Sequence, residues 1–160
     1  MRLSPNTRYA IRILLELSSL SKPVSSAYLA EKTGMTLRTV ENIHAVLRQE
    51  GLTAGTVGAK GGITLLGSLK AISLGQLIAM FDEGVLFSVC CGDKANDCPN
   101  QAECDIRNVW RTVSREIQGV LDAISLETIL QKYPKGLYGP LLSRYDPSNS
   151  VTPNEARVLR

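Results

Sequence analysis

Cysteine is the residue type with the widest chemical reach in this chain. Cys90, Cys91, Cys98 and Cys104 share one short segment, with six residues between Cys91 and Cys98 and five between Cys98 and Cys104. Thiolates bind soft metals and iron–sulfur clusters, and they also form redox disulfides. In a reducing compartment such a set serves as metal ligands or redox thiols rather than as structural disulfides. Gly92, Asn96, Asp97, Pro99 and Asn100 give the segment the turns needed to converge sulfurs on one centre. Four thiolates also suit zinc, although these are not arranged as two close C-x-x-C pairs. The one histidine, His44, has no nucleophile paired with it, and nothing in the sequence supports catalysis.

A second set of residues has the chemistry to read nucleic acid. Residues 1–70 hold nine Lys or Arg and four Glu, whereas residues 71–160 are slightly acidic, within a net charge of +3. A basic N-terminal half points to a polyanion partner there. Arg38 can bond guanine O6 and N7, and Asn42 can pair with adenine. Glu41 can accept from cytosine N4 or orient Arg38 three residues earlier. Thr39 and Arg48 also point outward from the face that the helix 37–49 must bury. Lys60 can meet a phosphate, with glycines beside it that permit close backbone approach. Ser4, Thr7 and Arg8 open a helix and are phosphate-contact candidates.

The elements that must position these groups follow from periodicity and punctuation. Tyr9, Ala10, Ile13, Leu14 and Leu17 repeat at helical spacing over 5–19, and Pro5 suits a first turn. A second helix is expected over 27–33, capped by Ser25 or Ser26 and ended by Gly34. Thr36 can cap a third over 37–49, with Leu37, Val40, Ile43, Val46 and Leu47 as its apolar face. The short turn between them has helix-turn-helix spacing. Strand-like stretches at 52–57 and 63–66 flank a Gly-Ala-Lys-Gly-Gly loop and read as a hairpin, that is, a wing. Ser73 and Gln76 fit a capping box for a helix to about Phe81. Residues 105–130 read as one long helix, with Ile106, Val109, Trp110, Val113, Ile117, Val120, Leu121 and Ile124 in one stripe. A stripe that long exceeds what the small N-terminal unit can cover, which points to a second copy of the chain.

The order of these pieces resembles the Rrf2 family of winged-helix regulators, of IscR and NsrR type. The residues that carry the likeness are Met1-Arg2-Leu3-Ser4 with Arg8-Tyr9-Ala10, Leu29-Ala30-Glu31, Gly34-Met35-Thr36, and Val40-Glu41 with Leu47-Arg48-Gln49-Glu50-Gly51-Leu52. Gly58-Ala59-Lys60-Gly61-Gly62, Ile72-Ser73-Leu74-Gly75, three spaced cysteines, Trp110 and Ile124-Ser125-Leu126 follow, so the likeness runs from residue 1 to about 130. It implies a mainly α fold with a small β-hairpin wing: a winged helix-turn-helix DNA-binding domain (1–83), a cluster-binding cysteine loop (84–104), a dimerisation helix (105–132) and an irregular tail (133–160).

The resemblance further implies a homodimer that binds a double-stranded DNA operator, with affinity altered by an iron–sulfur cluster of two-iron or four-iron type. Cys91, Cys98 and Cys104 match the cluster ligands, and Glu41 matches a position implicated in base discrimination. The chain departs from the pattern in three places. Cys91 and Cys98 are one residue further apart than usual, Val57 stands where an Arg often reaches the minor groove, and Arg107 stands where the IscR type has a ligating His. Residues 1–15 also lack the carboxylate that some NsrR-type members use. Cys90, Asp105, Asp93 or an exogenous group remain for the fourth ligand. Structural zinc, a thiol sensor without a cluster and an electron carrier are the competing readings, although a carrier has no need of the basic half.

Composition fits this reading. The 160 residues suit one domain or one small domain with an appendage, and 44% apolar with 21% charged residues is ordinary for a globular chain. No apolar run nears the roughly 20 residues of a membrane span. Met1-Arg2-Leu3-Ser4-Pro5 does not open like a signal peptide, so a cytoplasmic protein is expected.

Overall fold

A computed structural model describes residues 4–58, 61–82, 84–85 and 104–132. Lys60, Cys90, Cys91, Asp93, Cys98 and the tail expected over 133–160 lie outside the described residues. Helix α1 spans Pro5–Ser18, α2 Ser26–Thr33 and α3 Leu37–Gln49. Strands β1 (Thr53–Thr56) and β2 (Gly62–Leu65) follow, then a short 3-10 turn at Leu69–Ala71 and helix α4, Leu74–Phe81. Helices α5 (Asp105–Asp122) and α6 (Leu126–Lys132) close the described chain.

Each helix start has a local cause. Ser4, Ser25, Thr36 and Ser73 hold extended backbone, and each side-chain oxygen accepts from an amide of the first turn. These are otherwise unsatisfied donors. Gly34 ends α2 with φ at 70°, and the Met35 N–H donates to the Ala30 carbonyl, so the chain turns sharply into α3.

Helix α1 is the pillar of the unit. Ala10, Ile13, Leu14 and Leu17 are buried, and α1 packs against α2, α3, α4, α6 and β2. Leu29 of α2, Val40, Ile43 and Leu47 of α3, Ile63 of β2, Leu77 of α4 and Leu126 of α6 complete one core. Full burial of one such side chain is worth roughly 1.5–3 kcal/mol. Leu37, expected in that face, is instead 47% exposed. It is the first residue of α3, where the core does not yet cover the helix.

The wing is an antiparallel pair with Thr53 opposite Leu65 and Thr56 opposite Gly62. Val24, in the α1–α2 connection, exchanges two backbone hydrogen bonds with Ile63 at 3.1 and 2.7 Å, which ties β2 to the helices. Gly62 is required here. Its φ is 154°, and a Cβ would come within 2.6 Å of the Val24 carbonyl oxygen. A Cβ at Gly61 would collide with the Thr56 carbonyl oxygen. Both glycines therefore serve the protein's own close backbone approaches.

The single helix expected over 105–130 is two. Thr128 N–H donates to Ser125 Oγ at 3.1 Å, which starts a new helix, and the residues just before it pair with the α4 entry. Leu74 N–H donates to the Ile124 carbonyl at 2.8 Å and Leu126 N–H to the Ile72 carbonyl at 2.9 Å. This break turns α6 back onto the core, where Leu126 is fully buried.

The far end of α4 is fixed to α1. Asp82 follows α4, and its carboxylate accepts from Ser4 N–H at 3.1 Å and from the Thr7 hydroxyl at 2.5 Å. Thr7 is fully buried, so no water replaces this acceptor. Asp82→Ala is expected to cost about 1–3 kcal/mol of folding stability, the penalty for a buried donor left unpaired. Urea denaturation would read it as a lower midpoint at unchanged slope. A loss under about 0.5 kcal/mol, within ordinary surface scatter, would show that the link contributes little.

Candidate nucleic-acid interface and cysteine segment

Helix α3 divides along its length. Val40, Ile43 and Leu47 enter the core, while Arg38, Glu41, Asn42, Ala45, Arg48 and Gln49 are exposed. Spacings of three and four residues place Arg38, Glu41, Asn42 and Ala45 on one side of the helix. Its 13 residues make a rod about 20 Å long, and a B-form major groove about 12 Å wide admits such a helix. The arrangement offers a cationic fork, a carboxylate and an amide together, the groups that distinguish base edges.

The other residues singled out in the sequence fall into different places. Thr39 is half-buried on the other flank of α3, with its hydroxyl 2.8 Å from the Thr36 hydroxyl. Arg8 is exposed near the start of α1. Ser4 is half-buried, and its side chain caps α1. Thr7 does not join a solvent-facing set, because it is buried and its hydroxyl is committed to Asp82. The same carboxylate occupies the α1 amino end, so that end is not open to a phosphate as the sequence suggested. Asp82 itself carried no local sequence signal, since its partners lie 75 and 78 positions away.

The wing extends from the C-terminal end of α3, and β1 packs on α3. Val57, at the position where the family pattern often has an Arg, is fully exposed beyond the end of β1. His44 sits where α3 meets the wing. It is half-buried, and its Nε2 is buried without a hydrogen-bond partner. Burial pushes its pKa below the ordinary 6.5, and the Arg48 guanidinium adds to that shift.

Of the four cysteines, Cys104 is described. It stands at the amino end of α5, half-buried, and its side chain makes no capping hydrogen bond. Asp105 is exposed in the first turn beside it. Cysteine sulfur is a soft donor, so this residue suits ligation of a soft metal. Among the described residues, no three His, Cys, Asp or Glu side chains form a metal-binding group.

Helix α5 has two unlike faces. It packs on α4, where Gly75 leaves room for Gln118 and Asp122, and its buried residue is Ser114. The apolar stripe runs on another side, with Ile106, Val109 and Val120 55%, 51% and 62% exposed.

Comparison with known proteins agrees with this architecture. A family model described as Rrf2, iron-dependent transcriptional regulator, matches residues 3–132. The chain is 35% identical over 132 residues to the HTH-type transcriptional regulator IscR of Vibrio cholerae, covering 81% of this chain and 75% of that one. The solved structure of IscR from T. potens superposes with a TM-score of 0.62 at 28% identity, covering 85% of this chain and 90% of the other. The global cysteine regulator CymR of B. subtilis shares the fold, with a TM-score of 0.63 at 23% identity over 82% of this chain and 98% of that one. No described helix is long and apolar enough to cross a membrane. The chain belongs to the Rrf2 family of winged-helix, DNA-binding transcriptional regulators.

Proposed function

We propose that the protein is a homodimeric regulator that reads a duplex operator with α3 and the wing and adjusts its affinity through an iron–sulfur cluster. The observation that carries the DNA reading is the exposed polar face of α3, set apart from its buried apolar face. Arg38, Glu41 and Asn42 meet base edges, Arg48, Arg8 and Lys60 meet phosphates, and Ser4 and Thr39 support the helix starts beside them. Residues 1–83 form the reading unit, residues 84–104 the sensing segment and residues 105–132 the dimerisation segment.

Dimerisation is supported by the exposed stripe of α5. Apolar positions at helical spacing that the chain itself leaves in water are a natural seam for a two-fold partner. The cluster reading is supported by Cys104, whose sulfur is uncommitted to capping at a helix amino end. Its relatives are named IscR, and the matching family is described as iron-dependent. Cys91, Cys98 and Cys104 are the proposed ligands, with Cys90 or Asp105 completing the set. A bound cluster would supply a centre whose gain, loss or oxidation changes the charge and conformation of the segment.

Three measurements test this. Arg38→Ala should weaken binding to a duplex enriched from a random-sequence pool by about 1–3 kcal/mol, the worth of a bidentate base contact. Binding to bulk non-specific DNA should change little, and an equal loss on both would remove Arg38 from base reading. Val120→Glu should convert the dimer to a folded monomer by sedimentation, because the charge falls in the seam; a dimer of unchanged affinity would place the interface elsewhere. Protein purified without oxygen should absorb visible light with matched iron and sulfide, and Cys98→Ala should lose that absorption while remaining folded. Colourless protein holding about one zinc per chain would make the segment a structural zinc site, and metal-free protein would leave thiol chemistry as the signal.

A further inference from the structure

The seam between α3 and the wing contains two polar atoms that the fold leaves unsatisfied. His44 Nε2 and Thr53 Oγ1 are both buried without hydrogen-bond partners. Buried polar groups are nearly always paired, so two such atoms at one contact call for an explanation. They belong to the same seam. A Cβ on Gly55 would lie 3.2 Å from His44 Cε1 and 3.7 Å from His44 Nε2, so the ring rests against β1 at that residue. Side chains two apart in a strand share a face, which puts Thr53 on the side of β1 that His44 covers. Thr53 is almost wholly buried there. The absence of a side chain at Gly55 makes room for the ring.

We propose that His44 is the positioning residue of the DNA interface: packed neutral against Gly55, it fixes the angle between α3 and the wing, and its protonation releases the wing. A neutral ring can leave one nitrogen without a donor at modest cost. A protonated ring would bury a cation with no acceptor, next to another cation. Arg48 stands one turn along α3 and opposes the added charge, while Glu41 stands one turn back. β1 and β2 carry no titratable side chain. Helices α1 and α2 pack on the apolar side of α3, and their charged residues are Arg8, Arg12, Glu16, Glu31 and Lys32. The electrostatic influence felt at His44 comes from Arg48.

The sign follows from linkage. With the folded-state pKa below 6.5, the packed neutral ring contributes stability that is fully present above pH 6.5. That contribution is lost as the pH falls through the lowered pKa. If the wing docks only with His44 neutral, the affinity for DNA falls with it, by up to about tenfold per pH unit below the midpoint.

The proposal rests on the reading that α3 and the wing contact a duplex together, and the test separates the two. The probe is a duplex enriched from a random-sequence pool at pH 7.5, with affinity and hydroxyl-radical footprint measured from pH 7.5 to 5.5. His44 is the chain's one histidine, so its ring proton resonance titrates without overlap. Wild type should lose affinity with the midpoint of that resonance, and the flanking, wing-dependent protection should fade before the central protection. His44→Phe, or His44→Gln if the first variant does not fold, should remove this pH dependence. Gly55→Ala, which crowds the ring, should weaken binding throughout the range with unchanged helix content. Absence of binding at pH 7.5 would defeat the DNA reading itself. Binding with coincident wild-type and His44 variant profiles, or tighter binding by wild type in acid relative to the variants, would overturn the role of His44.

Discussion

Helix α1 is surrounded by other elements, and the Thr7 side chain at its start is buried beyond the reach of water. The solution is a pair of oxygen acceptors from different parts of the chain. Ser4 supplies a local cap, and Asp82 arrives from 78 residues away to accept from the Ser4 amide and the Thr7 hydroxyl. The carboxylate also complements the positive end of the α1 dipole. Because α1 touches α2, α3, α4, α6 and β2, the placement of nearly every other element is referred to it. The helix-turn-helix owes its geometry to this pillar as much as to its own turn.

The same joint marks where the cysteine segment leaves the reading unit. Asp82 is the residue at which α4 ends, and Cys104 is the residue at which α5 begins. Helices α4 and α5 pack on one another, with Gly75 allowing the approach of Gln118 and Asp122. The segment is therefore spliced between two helices already in contact, one of them anchored to the amino end of α1. Beyond α5, the backbone bonds of Ile124 and Leu126 to Leu74 and Ile72 return the chain to the same core. The helix is thus held to the unit through α4, while Ile106, Val109 and Val120 of its apolar stripe stay exposed.

What could be read from the sequence was what depends on neighbours within a few residues. The bounds of α3 agree with those read from Thr36 and the apolar repeat. In α2 the start moves by one residue, because Ser25 and not Ser26 supplies the capping oxygen. The hairpin around the Gly-rich loop appears with a shorter first strand and a second strand shifted by one residue, its register fixed by Thr56 and Gly62. What could not be read depends on distant partners: the Asp82 link, the Val24–Ile63 bridge, and the break before α6. The apolar repeat runs uninterrupted through Ile124, and the break after it is set by the backbone partners at Ile72 and Leu74 and by the Ser125 cap. Of the residues proposed for the interface, Arg38, Glu41 and Asn42 stand out from periodicity alone, whereas the burial of Thr7 against Asp82 comes from a contact no local pattern reports.

The mixed charge of the α3 face has its own logic. A wholly basic helix would bind any duplex through phosphates, with an affinity set by counterion release and carrying no sequence information. Glu41 sits between Arg38 and Arg48 on that face, and a carboxylate near the phosphate backbone is repulsive unless a base donor meets it. In the proposed reading it would subtract from every wrong site and cost little at a right one, which is how discrimination is built by disfavouring competitors. The modest basic excess of the first 70 residues is consistent with the same balance, since fewer phosphate contacts leave more of the binding free energy to the bases. His44 stands at the edge of this face, neutral and half-buried, where an additional positive charge would favour phosphates indiscriminately. In the proposed reading, keeping it uncharged by burial against the wing would serve specificity through the same electrostatics that serve packing.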